Sequence, residues 1–141
     1  MIKKIVATAL LAILCGCSSI PPLNTPSGNP EVTYNADRAV VSDVIASWMV
    51  GRGYALDDQS ERIIRGRKNA GDTAEMLYGQ SEVILTISIL NAGQGKTKAI
   101  ANIQLESKSG FSTKRKDFSK GTKDAHVIQS ELEKLKYQIE K

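Results

Sequence analysis

Val83-Ile84-Leu85-Thr86-Ile87-Ser88-Ile89-Leu90 decides the fold of this chain. β-Branched residues dominate it, and successive side chains in an extended strand point to opposite faces. Val83, Leu85, Ile87 and Ile89 therefore share one face, and Ile84, Thr86, Ser88 and Leu90 share the other. The pattern predicts a strand over Glu82 to Asn91 with one face in the core and the other partly covered. Ala92-Gly93-Gln94-Gly95 then turns the chain. Over Thr97 to Ser107 the alternation returns, with Ala99, Ala101, Ile103 and Leu105 on one side and Asn102, Gln104 and Glu106 on the other. Such alternation belongs to an antiparallel hairpin with one wet face.

Upstream, Tyr54 to Leu56 and Arg62 to Lys68, centred on Ile63 and Ile64, predict a second hairpin around a polar turn, Asp57-Asp58-Gln59-Ser60-Glu61. Between the two hairpins, Asn69 to Gln80 reads as a loop with one helical turn at Ala74 to Tyr78. A helix is expected from about Ala36 to Val50, where Val40, Val44 and Trp48 form one row beside Val41, Ile45 and Met49. Trp48 falls inside that stripe and is expected in the core. Asn35 and Asp37 can cap this helix, and Gly51 and Gly53 end it. A second helix is expected from about Lys123 to Glu140, with Ala125, Ile128, Leu132, Leu135 and Ile139 recurring at helical spacing and Thr122 or Asp124 as the cap. The expected order is α-β-β-β-β-α. An antiparallel sheet with one apolar face needs both helices over it, so the fold class is α+β, a two-layer sandwich of a four-stranded antiparallel sheet covered by two helices. One domain, residues 34–141, accounts for this part of the chain.

The first 33 residues have a different character. Lys3 and Lys4 precede an apolar run from Ile5 to Leu14, which suits a signal-peptide core and is too short to span a bilayer as a helix. The run ends in Leu14-Cys15-Gly16-Cys17. Leu14, Gly16 and Cys17 resemble the lipobox of bacterial lipoproteins; Cys15 fits that pattern less well, because Leu14 rather than a small residue precedes it. The resemblance implies removal of residues 1–16, acylation of Cys17 and attachment to a lipid membrane. Since Ser18 rather than Asp follows the cysteine, it also implies the outer membrane, facing the periplasm. The chain has two cysteines, so the mature domain would hold no free thiol and form no internal disulfide. All four prolines, Pro21, Pro22, Pro26 and Pro30, lie between Ser18 and Tyr34. That composition predicts that residues 17–33 form a flexible tether, about 50 Å long if fully stretched. As architecture, two helices over a small antiparallel sheet look like the helix-grip folds of outer-membrane-assembly lipoproteins of the BamC type.

Most signs of catalytic chemistry fail on inspection. Gly95-Lys96-Thr97 has the ending of a phosphate-binding loop, yet Leu90 stands where its first glycine belongs and a strand follows in place of a helix. His126 is the only histidine, which excludes a multi-histidine metal site and reads as a surface residue. Asp57, Asp58 and Glu61 belong to turn chemistry without an apolar pocket. No catalytic residue, metal ligand or cofactor is expected.

What survives is charge. Removing Lys3 and Lys4 from the 19 Lys and Arg leaves 17 against 15 Asp and Glu, a net charge of about +2. Six of those bases, Lys108, Lys114, Arg115, Lys116, Lys120 and Lys123, fall between Lys108 and Lys123, with Phe111 and Phe118 interleaved and Asp117 as the one acid. Arg62, Arg65, Arg67 and Lys68 form a smaller cluster. A basic loop with aromatics can contact anionic headgroups or an acidic partner; the same charges can simply solvate a hairpin or crossover whose two phenylalanines tuck into the core edge. The expected function is a non-enzymatic, membrane-anchored envelope lipoprotein acting by protein contact as an accessory or assembly factor. The alternative is a periplasmic binding module for peptidoglycan or lipopolysaccharide, using the 108–123 segment and the wet face near Gln104 and Glu106. Export makes nucleic acid an improbable target.

Overall fold

A computed structural model describes residues 20–71 and 80–141. Cys17, the proposed signal peptide and the Ala74 to Tyr78 turn lie outside the described residues. The elements run β1 (Glu31–Tyr34), α1 (Arg38–Gly51), β2 (Ala55–Gln59), β3 (Ile63–Asn69), β4 (Gln80–Asn91), β5 (Thr97–Ser109), β6 (Ser112–Asp117), α2 (Lys123–Lys134) and the single turn α3 (Lys136–Ile139). The chain is α+β with an antiparallel sheet, as expected, but the sheet has six strands rather than four among the described residues. The two extra strands are β1, from the expected tether, and β6, from the expected basic loop.

β4 and β5 form the longest ladder, pairing from Gln80 with Lys108 to Asn91 with Thr97. β3 continues the sheet beyond β4, and β2 forms that edge. Asp57, Asp58 and Gln59, read as turn, belong to β2; the turn itself is Ser60 to Arg62, where Ser60 Oγ accepts from the Ile63 N–H at 3.0 Å. On its other side β5 is paired in two instalments. Its residues Thr97 to Ile100 take β1 and its residues Gln104 to Ser109 take β6, so β1 and β6 lie end to end along one edge.

The junction between them is closed by single residues. Ala101 N–H donates to the Pro30 carbonyl at 2.8 Å, and Ile103 N–H donates to Ser119 Oγ at 2.7 Å. Phe118 N–H returns a bond to the Ile103 carbonyl at 2.8 Å. Every backbone donor buried there thus has a partner, as a water-excluded strand requires.

Both helices cover one face. Leu85, Ile87, Ile89, Ala99, Ala101, Ile103 and Ile64 form the floor; Val41, Ile45 and Met49 of α1, Ala125 and Leu132 of α2, Leu135, and Ile139 of α3 form the roof. Of the two apolar rows foreseen on α1, the Val41 row is the buried one, and Val40 is exposed. Trp48 is half-buried against the core, its indole N–H donating to Glu131 Oε2 at 3.2 Å. Small side chains let α1 settle low. Gly66 lies beneath Met49, Tyr54 and Leu56, and a Cβ there would stand 3.0 Å from Met49 Cε and Tyr54 Cβ.

Asp37 occupies the cap position of α1 but makes no side-chain capping bond. The helix closes where Gly53, at φ 88°, lets the Tyr54 N–H reach the Met49 carbonyl at 3.1 Å. Thr122 caps α2, accepting from the Ala125 N–H at 3.1 Å, and the single expected C-terminal helix is broken at Leu135. None of the helices among the described residues is long and apolar enough to cross a membrane.

Ser119→Ala should be destabilising although Ser119 lies in a connection, because its side chain is buried. It leaves the buried Ile103 N–H without an acceptor, a loss of about 1–3 kcal/mol in denaturant unfolding with an unchanged m-value.

Candidate contact surface

The 108–123 segment is not a loop. β5 and β6 form a hairpin in which Ser109 pairs with Ser112, so Gly110 and Phe111 are the two central turn residues. Gly110 supplies the positive φ, 57°, that such a tight turn demands at its first position. Phe111 follows it at the tip, fully exposed, so it is not tucked into the core edge. Phe118, beyond the hairpin, is half-buried against the core.

Strand alternation then divides the basic residues. Arg115 pairs with Glu106 and Thr113 with Lys108, which puts Lys108 and Arg115 on the face away from the helices. Lys114 pairs with Ser107 and Lys116 with Leu105, on the helix side. Lys120 lies in the connection before α2, and Lys123 is the first residue of that helix.

The outer face carries an ionic ladder across five strands. Asp57 of β2 accepts from Arg65 Nε at 2.8 Å and from Arg67 Nε at 3.0 Å. Arg67 Nη1 reaches Glu82 at 3.3 Å and Glu106 at 3.4 Å, and Glu106 accepts from Arg115 Nε at 2.7 Å. Lys108 Nζ stands 3.7 Å from the same carboxylate. The Glu106 side chain is only 4% exposed beneath these cations. The hydrogen bond from Arg115 is the main reason that its carboxyl lies below the usual carboxylate range, with Arg67 and Lys108 adding to it. Asp57 is held low in the same way by Arg65 and Arg67.

Two of the six expected binding cations, Lys108 and Arg115, are therefore paired with Glu106 on the outer face. Lys114, Lys116, Lys120 and Lys123 have no carboxylate within 4 Å among the described residues.

Beside the hairpin, where α2 begins, the helical roof leaves part of the sheet uncovered. A groove of about 440 Å³ opens there, floored by Val83, Ile103 and Leu105 and walled by Tyr54, Phe118 and Val127. Lys68 Nζ sits 4.5 Å from the Tyr54 ring centre and Lys116 Nζ 5.2 Å from the Phe118 ring centre, cation over aromatic face in each case. Burial pushes the Tyr54 phenol up to about 12, and the Asp124 carboxylate adds to the shift. The second basic cluster is divided as the first is, with Arg65 and Arg67 in the ionic ladder and Lys68 at the groove.

The residues weighed for catalysis are scattered. Gly95 and Lys96 sit in the β4–β5 turn, and Thr97 opens β5, its hydroxyl donating to the Ala36 carbonyl at 2.7 Å. His126 Nε2 donates to the Pro21 carbonyl at 2.7 Å. No cluster of metal-ligating side chains occurs among the described residues. The groove and the ladder went unread in the sequence; once the Gly110-Phe111 turn is assigned, counting back from it gives the Glu106–Arg115 pair.

No protein-family model, curated protein or solved structure matches this chain.

Glu106→Gln should cost roughly 1–3 kcal/mol at neutral pH, since the guanidinium groups of Arg115 and Arg67 lose their anionic acceptor. A carboxyl with a lowered folded pKa stabilises the fold above its unfolded value, 4.5, and the stabilisation is lost as pH falls through the lower folded value. Urea titrations from pH 7 to pH 3 should show the wild-type advantage shrinking below about pH 4.5.

Proposed function

We propose that this chain is a lipid-anchored envelope protein that works by contact with another envelope protein, as an accessory or assembly factor. The anchor is Cys17, by its resemblance to the acylated lipobox cysteine, with the outer membrane's periplasmic face as the location. The observation that carries the reading is Phe111, a fully exposed aromatic ring in the tight turn of the β5–β6 hairpin. An exposed Phe flanked by Lys114 and Lys116 resembles the anchor residues of protein interfaces, where aromatic side chains contribute most of the binding energy. The adjoining groove, with its apolar floor and two lysines at aromatic rims, can receive a partner's apolar side chain beside an acidic one.

Lysines on β6 have a further effect. β6 is an edge strand, and charge along an edge discourages indiscriminate strand pairing. The partner is therefore selected by side chains rather than by open backbone.

A second reading, binding of lipopolysaccharide or peptidoglycan, draws on Lys114, Lys116, Lys120 and Lys123, which form no salt bridge among the described residues. It loses support on the outer face, where Arg115 and Lys108 are committed to Glu106.

Phe111→Ser should leave unfolding stability within about 0.5 kcal/mol of wild type, since the ring buries nothing. A photo-crosslinker at Ser109 in living cells should capture a specific protein, and Phe111→Ser should abolish that product. An undiminished product in Phe111→Ser and in Lys114→Ser would contradict the hairpin as the contact. Retention on purified sacculi or lipopolysaccharide, lost on neutralising the four lysines, would favour the second reading. Cys17→Ser should release the protein from the membrane fraction and end palmitate incorporation; membrane retention would contradict the anchor.

A further inference from the structure

The segment after the proposed anchor has the composition of a leash, yet from Ile20 onward it is bound to the domain. The Ile20 carbonyl lies against Gly121, 4.0 Å from where a Cβ on that glycine would stand. The Pro21 carbonyl accepts from His126 Nε2. Leu23 joins the hydrophobic core cluster. Thr25 to Gly28 make a closed turn, Gly28 N–H donating to the Thr25 carbonyl at 3.1 Å, and Ser27 N–H donates to Glu31 Oε2 at 3.1 Å. Pro30 is fully buried, and β1 follows. Gln129 of α2 clamps the start of β1, accepting from the Glu31 N–H at 2.7 Å and donating to the Glu31 carbonyl at 3.1 Å. The tether expected over residues 17–33 is thus, from residue 20, a packed strap. Pro26 stands within the Thr25–Gly28 turn and Pro30 is buried beside β5, so these prolines belong to the packed structure and do not keep it loose.

We infer that the anchor is close-coupled: the bilayer surface is the partner of the 118–123 connection and the first turn of α2, and the domain is held against it in one orientation. The inference rests on the acylation of Cys17. Only Ser18 and Ser19 separate that cysteine from Ile20, so the chain from Cys17 to Ile20 spans at most about 11 Å, where a free tether would have given about 50 Å. The described strap starts beside Gly121, which lies between Lys120 and Lys123 in the chain. Both lysines are exposed, and neither has a carboxylate within 4 Å among the described residues. Exposed lysines next to a lipid attachment point suit acidic phospholipid headgroups. The two serines cannot span the domain, so the attachment fixes which surface meets the headgroups.

The mature domain contains no other thiol, so a single introduced cysteine reports position cleanly. Full-length acylated protein would carry a donor dye at Lys123→Cys or, separately, at Glu61→Cys, in vesicles of acidic phospholipid with acceptor-labelled headgroups. Glu61 lies in the β2–β3 turn, roughly 20 Å from the 118–123 connection by strand spacing and rise. Energy transfer should be stronger from position 123 than from 61. Inserting a Gly/Ser linker of about 20 residues between Ser19 and Ile20 should lower transfer and remove the difference. Equal transfer from both positions, in protein whose mass shows the acyl groups on Cys17, would overturn close coupling and leave the lipid anchor standing. Absence of acyl mass on Cys17 would overturn the anchor reading, and close coupling with it.

Discussion

The outer edge of β5 is the constraint on which the fold depends. β5 is 13 residues long and central, with β4 along one side. Its other side would be a row of open backbone groups, which invites pairing with foreign chains. No single strand covers it. β1 takes one end, β6 the other, and Pro30, Phe118 and Ser119 satisfy Ala101 and Ile103 between them. This ties the N-terminal segment to the connection before α2, because both must converge on the same three residues of β5.

That convergence links packing to function. The strap cannot leave β5 without exposing Leu23 and Pro30 and stranding the Ala101 N–H. The connection from β6 to α2 is drawn to the same place, which brings Gly121, between Lys120 and Lys123, beside Ile20 of the strap. On the other side of α2, the groove under Phe118 and Val127 exists because the roof ends where the connection begins. The proposed lipid attachment and the proposed partner groove thus meet on one short stretch of chain, the connection from Phe118 into the first turn of α2.

Much of the fold was legible because the apolar residues kept strict periods. The alternation of Val83 to Leu90 and Ala99 to Leu105 fixed the central hairpin and its core face, and the spacing from Ala125 to Ile139 fixed α2 and its continuation into α3. β1 and β6 were missed for different physical reasons. Glu31 to Tyr34 is short and follows four prolines, so its strand character comes from pairing with β5 rather than from its own pattern. Lys114-Arg115-Lys116 has no apolar alternation, because β6 is exposed on both faces. Its signal was the Ser-Gly-Phe-Ser turn. The six bases of the 108–123 segment stand together in the sequence but are divided in the fold, since strand alternation sends Arg115 to Glu106 and Lys116 to Phe118. The close approach of Met49 to Gly66 is a long-range fact that no local pattern contains.

Native-state hydrogen exchange of the full chain in detergent micelles tests the edge closure most directly. The Ala101 and Ile103 amides should be protected as strongly as those of Leu85 and Ile87 in the central ladder, exchanging only through global unfolding. Rapid exchange at Ala101 and Ile103, with the β4–β5 ladder still protected, would show that the strap and the β6 connection are not part of the folded core.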